Sequence, residues 1–166
     1  MELNTASAAI SFARKLEEDG SQFYEALARR YAQDGELLLT FAKENRKNVV
    51  QVERAYYGVI TDALEGCFAF RISPDRYAFQ SELREDSSYS QALGQALDME
   101  SKIIEFYSDA AEQSESLLAD VPRVFMMVAK KRRDRCSRLK SLLAGDGWSP
   151  QPTSDTATSP RPATKE

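Results

Sequence analysis

The sequence contains no histidine among its 166 residues. This absence excludes every mechanism that requires an imidazole, including a Ser-His-Asp triad, a Cys-His pair and a histidine metal ligand. The only cysteines are Cys67 and Cys136, and they form no CxxC pair. Neither a zinc ribbon nor a rubredoxin-like iron centre is therefore predicted. Isolated cysteines are typical of a reducing compartment, so we expect a cytoplasmic protein.

Long apolar runs are also absent. No segment approaches the length that spans a bilayer, and the N-terminus has no basic start followed by an apolar block. We therefore expect no membrane partner and no signal peptide. The net charge of −4 does not favour nucleic acid as a partner of the whole molecule.

Four long stretches are compatible with helices, and glycine and proline fall mainly at their borders. The hydrophobic period predicts helices over about 8–32, 35–64, 89–115 and 121–143, and no strand. Short turns join the first helix to the second and the third to the fourth, whereas the longer segment 65–88 connects the two pairs. Residues 145–166 are rich in Ser, Thr and Pro, which is typical of disorder. We predict one helical domain over 1–144 and a disordered tail over 145–166.

The two predicted hairpins resemble each other in sequence. The pattern A-x3-E-x5-F-Y occurs in the first helix and recurs in the third without a gap. Its members are Ala13, Glu17, Phe23 and Tyr24, and then Ala96, Glu100, Phe106 and Tyr107. The second and fourth helices share an apolar residue followed by Ala-Lys, at Phe41 and at Val128. Such a repeat indicates two helical hairpins related by a rough two-fold axis.

Each helix carries a stripe at the i, i+3, i+4 spacing that marks one buried face. The stripes are Ala13, Glu17, Gly20, Tyr24 and Leu27; Leu38, Phe41, Asn45, Asn48 and Val52; Ala96, Glu100, Ile103, Tyr107 and Ala110; and Phe125, Val128, Arg132, Arg135 and Leu139. Polar residues interrupt all four stripes at one level of the bundle. Because burial of an unpaired charge is costly, we expect these side chains to pair with one another or to bind something.

This arrangement resembles the rubrerythrins and other ferritin-like di-iron carboxylate proteins, over roughly residues 8–143. In that family one helix of each hairpin supplies a Glu and the other supplies Glu-x-x-His. Here the Glu positions are Glu17 and Glu100, but the second motif reads Asn45-Arg46-Lys47-Asn48 and Arg132-Arg133-Asp134-Arg135. The resemblance implies an all-α, ferritin-like antiparallel four-helix bundle with one long crossover between the second and third helices. It also implies oxidoreductase or peroxidase chemistry wherever the metal ligands are retained.

Charge arithmetic suggests what the substituted residues do. The family site balances four carboxylates against two divalent irons, whereas here two carboxylates face two guanidinium groups. We expect Arg132 and Arg135 to hold Glu17 and Glu100 in buried ion pairs, because the planar fork of Arg can bind a carboxylate in a bidentate manner. Four stripe side chains would complete this buried network by hydrogen bonding: Asn45, Asn48, Tyr24 and Tyr107.

Two alternatives to this network remain open from the sequence. The arginines could extend outward to solvent while the glutamates face a wet groove. Alternatively, a metal such as iron or manganese could bind oxygen ligands at the family positions Glu17 and Glu100, with help from Glu18 and Glu44.

The function expected first is that of a non-catalytic interaction or assembly protein without a cofactor, which acts on a protein partner or by self-association, for instance as a homodimer. The first alternative is a metal-binding oxidoreductase of the rubrerythrin type with an unusual carboxylate site. The second is a nucleic-acid-associated bundle that uses the basic run from Lys130 to Arg135. The sequence alone leaves enzymatic activity undecided.

Overall fold

Four α-helices dominate the fold in the computed structural model, which describes residues 2–59, 68–115 and 120–145. They are α1 (Ala6–Arg30), α2 (Gly35–Tyr57), α3 (Tyr89–Ser114) and α4 (Val121–Leu143). The predicted all-α class is confirmed. The second helix ends at Tyr57, earlier than predicted. After the last i→i−4 bond, from the N–H of Gly58, the N–H of Val59 donates to the carbonyl of Tyr56 at 3.1 Å in a tighter i→i−3 turn.

Local sequence explains where the helices begin. The hydroxyl of Thr5 accepts a hydrogen bond from the N–H of Ala8 and caps α1. Ser88 and Gln91 form a reciprocal capping box at the start of α3. Pro122 lies in the first turn of α4. A backbone N–H has no intrahelical acceptor at this position, so the N–H that proline lacks costs no hydrogen bond.

The helices pack as two hairpins, α1 against α2 and α3 against α4, which face each other through α1–α3 and α2–α4 contacts. The side chain of Glu44 contacts Arg135, and that of Gln51 contacts Lys131, so α2 and α4 run antiparallel. Every residue of the four predicted stripes is buried. The core therefore lies along the axis of the four helices, as the hydrophobic period indicates.

A small antiparallel sheet pairs the segment before α1 with the crossover. Strand β1 (Leu3–Thr5) pairs with β2 (Phe68–Ile72), with Leu3 opposite Ile72 and Thr5 opposite Phe68. The prediction of no strand was therefore wrong. Strands of three and five residues are too short for apolar alternation to stand out from the surrounding sequence.

The described part of the crossover packs on α1 and α3. A 3₁₀ turn at Pro74–Tyr77 places the hydroxyl of Tyr77 2.7 Å from Asp109 and the guanidinium of Arg76 2.8 Å from Glu105. Further along, the side chain of Gln95 donates to backbone carbonyls of residues 80 and 82 at 3.1 and 2.7 Å. The crossover thus covers the α1–α3 side of the molecule.

Some predictions fall on residues outside the described ranges. These are the continuation of the second helix over 60–64, the short connection at 116–119, and the C-terminal tail apart from Gly145. Within the described ranges, no helix combines the length and apolar character needed to cross a membrane.

A buried charge network as the candidate functional site

Arg132 lies between the two core glutamates and contacts both. Its Nη2 and Nε atoms approach Oε2 and Oε1 of Glu17 at 2.6 and 3.3 Å, which forms a bidentate pair. Its Nη1 atom donates to Oε2 of Glu100 at 2.7 Å. All three side chains are buried, and Arg132 has no exposed surface. One guanidinium therefore bridges the α1 and α3 carboxylates from its position on α4.

Arg135, one turn further along α4, is the second cation of the network. Its Nη1 atom donates to Oε1 of Glu100 at 2.9 Å and to Oδ1 of Asn45 at 2.7 Å. Its Nη2 atom donates to Oε2 of Glu44 at 2.9 Å. The guanidinium carbon also lies 4.8 Å from the centre of the Phe41 ring, within cation–π range. Only 2% of Arg135 is exposed, so an arginine extended into solvent is the wrong interpretation.

Glu44 is the member of this network that the sequence did not place there. The sequence predicts for it only a role as a metal ligand, because it lies one position before Asn45 and off the apolar stripe. Its side chain is 37% exposed. Glu44 therefore extends the network from the core to the surface. In the sequence, the only indication of this contact is the positive charge of Arg135 on α4.

Two tyrosines close the network reciprocally across the hairpins. The hydroxyl of Tyr24 on α1 donates to Oε1 of Glu100 on α3 at 2.6 Å. The hydroxyl of Tyr107 on α3 donates to Oε1 of Glu17 on α1 at 2.8 Å. The internal sequence repeat thus appears in space as a pair of equivalent hydrogen bonds.

The second and fourth helices break that equivalence. Asn45 and Asn48 occupy in α2 the places that Arg132 and Arg135 occupy in α4. Oδ1 of Asn45 accepts from both arginines, and Nδ2 of Asn48 lies 3.4 Å from Oε2 of Glu17. Oδ1 of Asn48 has no hydrogen-bond partner among the described residues.

Gly20 makes room for the network on α1. A Cβ atom at this position would lie 2.7 Å from Nδ2 of Asn45, closer than real Cβ contacts come. The same amide nitrogen lies 3.4 Å from the backbone carbonyl oxygen of Glu17. The glycine in the first stripe is therefore explained by the close approach of the Asn45 amide.

The ionisation of the network follows from its burial and its charges. Burial raises the pKa of Glu100, but Arg132, Arg135 and the Tyr24 hydroxyl lower it by more, so the net pKa is lowered. Burial lowers the pKa of each arginine, and the facing carboxylates raise it above its ordinary value. Both guanidinium groups and the Glu100 carboxylate are therefore charged near neutral pH.

The tyrosine hydroxyls remain protonated donors. Burial raises the pKa of Tyr24 and Tyr107 well above the ordinary value, and the neighbouring carboxylates, Glu100 and Glu17 respectively, raise it further. The opposing effect of the arginines is smaller. Each phenol therefore keeps its proton and donates a hydrogen bond to a carboxylate oxygen.

The residues present do not fit a metal ion. All four oxygens of Glu17 and Glu100 already accept hydrogen bonds from arginine or tyrosine. Within the described ranges, no three Asp, Glu, Cys or His side chains cluster as ligands. Glu18, the remaining ligand candidate, is exposed on α1. The guanidinium of Arg132 lies where a cation would have to bridge the carboxylates.

Cys136, which follows Arg135, is not activated as a nucleophile. The thiol is half-buried, and burial raises its pKa, as does the nearby Glu100. These effects outweigh the surrounding cations. The thiol is therefore protonated near neutral pH.

The network pairs its charges but leaves Oδ1 of Asn48 and Nε of Arg135 without a hydrogen-bond partner among the described residues. Each buried charge faces an opposite charge, and a carboxylate could act as a general base only after losing a guanidinium or tyrosine contact.

Comparison with protein-family models, with curated proteins and with solved structures returns no match to this chain.

Proposed function

We propose that this chain is a ferritin-like bundle of the rubrerythrin type in which two core arginines substitute for the metal pair, and that it acts as a non-catalytic interaction or assembly protein. The observation that carries the proposal is the position of Arg132, whose guanidinium contacts Glu17 and Glu100 at 2.6 and 2.7 Å. A cation that is part of the chain replaces one that would have to be bound.

The arrangement of the helices supports the scaffold part of the proposal. Two hairpins connected by one long crossover, with a glutamate at the same place in the first helix of each, is the connectivity of ferritin-like bundles. The residues at the Glu-x-x-His positions face the glutamates, as the ligands of the family do, but they are Asn45, Asn48, Arg132 and Arg135.

The chemistry of the substituted residues supports a non-catalytic role. An arginine in a protein does not lose its proton, so neither guanidinium can act as a base or ligate a metal. A charge network of this kind fixes the positions of the helices relative to one another, because each group has one set of partners that leaves no charge unpaired.

Elemental analysis of the purified protein tests the proposal. The chain should contain no stoichiometric iron or manganese after growth in medium supplemented with both, and its unfolding temperature should not change when EDTA is added. One or two metal ions per chain would overturn the proposal and restore the oxidoreductase alternative.

A variant that restores the family ligands provides the matched positive control. It carries four substitutions: Asn45→Glu, Asn48→His, Arg132→Glu and Arg135→His. On a ferritin-like scaffold this variant should bind iron and unfold at a lower temperature when iron is removed. A folded variant that binds no iron would contradict the ferritin-like part of the proposal and leave the metal-free wild type as a separate result.

A further inference from the structure

The outer faces of α2 and α4 display apolar side chains that the core does not use. Among the described residues, every exposed large hydrophobic side chain lies on one of these two helices: Leu39, Val50, Tyr57, Met126, Met127 and Leu143. The crossover packs on the opposite side of the molecule, against α1 and α3. We call the exposed residues of α2 and α4 together the α2–α4 face.

The same face is strongly cationic. Its exposed cations are Lys43, Arg46, Lys47, Arg54, Arg123, Lys130, Arg133, Arg138 and Lys140, against the exposed carboxylates Glu36 and Asp134. Between Leu39 and Tyr57 the carboxylates of α2 are Glu44 and Glu53, and each is paired with an arginine on a neighbouring helix. Arg46 and Arg123 pair with Glu25 and Asp120, which leaves seven cations against two carboxylates. The face therefore has a charge opposite in sign to that of the whole chain.

The apolar and cationic residues are ordered along the helix axes. Because α2 and α4 run antiparallel, Leu39 and Leu143 lie toward one end of the face, and Tyr57 and Met126 lie toward the other. Lys43 and Lys47 lie between the ends and form no ion pair with any described residue. Leu39 and Val50 are about 16 Å apart along α2, or about three helical turns.

We propose that the α2–α4 face binds an acidic amphipathic helix of a partner protein. The exposed side chains from Leu39 to Val50 form a strip along α2, against which a third helix can pack lengthwise. A partner helix with apolar side chains three turns apart and carboxylates between them would match the order of Leu39, Lys43, Lys47 and Val50. This inference rests on the proposed interaction role and names the class of partner.

Other occupants match the face less well. A second copy that presented the same face would bring cations against cations, and carboxylates of α3 such as Glu105 and Asp109 are already paired with Arg76. Nucleic-acid phosphates would leave Leu39 and Val50 without apolar contact. Helices that lie on anionic membranes separate an apolar face from a cationic one, whereas α2 mixes both on a single strip.

Fluorescence anisotropy with the full chain and labelled synthetic helical peptides tests this inference. The first peptide carries Glu and Leu on one face of an Ala-rich helix, the second replaces each Glu by Lys, and the third replaces each Leu by Ser. Only the first peptide should bind with a saturable curve, since both charge and apolar contact contribute.

Paired charge variants locate the binding surface. Lys43→Gln with Lys47→Gln should weaken binding of the first peptide about tenfold, the effect of losing two interfacial charge contacts. Lys15→Gln with Arg29→Gln changes the net charge equally but lies on α1, and should leave the binding constant nearly unchanged. Thermal unfolding of both variants checks that the fold is retained.

Several outcomes would overturn the inference. They are no saturable binding of the first peptide, equal binding of the Lys or Ser peptides, or equal weakening by the α1 variant. Tighter binding of a DNA duplex or of phosphatidylserine vesicles, lost in the α2 variant, would assign the face to those partners. A stable dimer dispersed by the α2 variant would assign it to a second copy. A metal-free protein that fails this test would overturn the partner assignment alone, because metal content is measured independently.

Discussion

Replacement of Arg132 by methionine would remove the central cation of the network while roughly keeping the length of the side chain. Glu17 and Glu100 would then lose the contacts at 2.6 and 2.7 Å and remain buried with only Arg135 to balance them. Breaking a buried ion pair by removing one partner costs about 3–5 kcal/mol in the free energy of unfolding. For a domain of this size the unfolding temperature should fall by roughly 6–20 °C.

The pH dependence of that loss identifies its cause. In the wild type the pKa of Glu100 is lowered, so its contribution to stability is present above the pKa of the unfolded chain and is lost as the pH falls through the folded value. Without Arg132, burial should raise the pKa of Glu100, and its protonation should relieve the unpaired charge as the pH falls. The difference in stability between the two proteins should therefore be largest near neutral pH and smaller near pH ~4.

Urea unfolding followed by circular dichroism at both pH values measures these differences. Lys130→Met is the matched control, because it removes the same charge from an exposed position on the same helix and should change stability by less than about 0.5 kcal/mol. A triple variant that adds Glu17→Gln and Glu100→Gln to Arg132→Met should regain part of the lost stability. If Arg132→Met proved as stable as the control, or if its loss were the same at both pH values, the charge network would not be what holds these helices together.

Smaller changes probe the packing and the reciprocal hydrogen bonds. Gly20→Ala should destabilise the fold by about 1–3 kcal/mol, since the new Cβ would press on the Asn45 amide, whereas Gly94→Ala, with open space around it, should stabilise α3 by about 0.5–1 kcal/mol. Thermal unfolding distinguishes the two, and equal effects would contradict the close approach at Gly20. Tyr107→Phe should cost about 1–3 kcal/mol in urea unfolding, because Oε1 of Glu17 loses its tyrosine donor, and an unchanged midpoint would show that this hydrogen bond is dispensable.

The helices and the membership of the core could be predicted from the sequence because both depend on a period that the chain displays directly. Glu17 and Arg132 each interrupt an apolar stripe. Because burial of a charge without a partner is costly, each side chain must either find a partner inside the core or distort the helix packing. The charges of the buried groups then limit which of them can pair, since each carboxylate needs a guanidinium: Glu17, Glu100, Arg132 and Arg135. The period of each single helix is enough to predict these features.

Other features depend on relations between helices that no single-helix period contains. Glu44 lies off the stripe, and its contact with Arg135 follows from how closely α2 and α4 approach. That Arg132 binds both carboxylates, while Asn45 accepts from both arginines, depends on side-chain reach across the bundle. The pairing of Leu3–Thr5 with Phe68–Ile72 depends on where the crossover runs along α1, and the composition of the chain does not indicate this.

The unequal distribution of buried charge between the two hairpins has a consequence for assembly of the chain. The α1–α2 hairpin contributes one buried anion, Glu17, to the shared core, whereas the α3–α4 hairpin contributes Glu100 together with two cations, Arg132 and Arg135. Each half separately therefore has an inner surface with an uncompensated charge, of opposite sign in the two halves. Two copies of the same half could not form a bundle by pairing with each other without burying like charges. The buried charges therefore favour pairing of an α1–α2 hairpin with an α3–α4 hairpin. They disfavour an assembly in which a hairpin pairs with a second copy of itself.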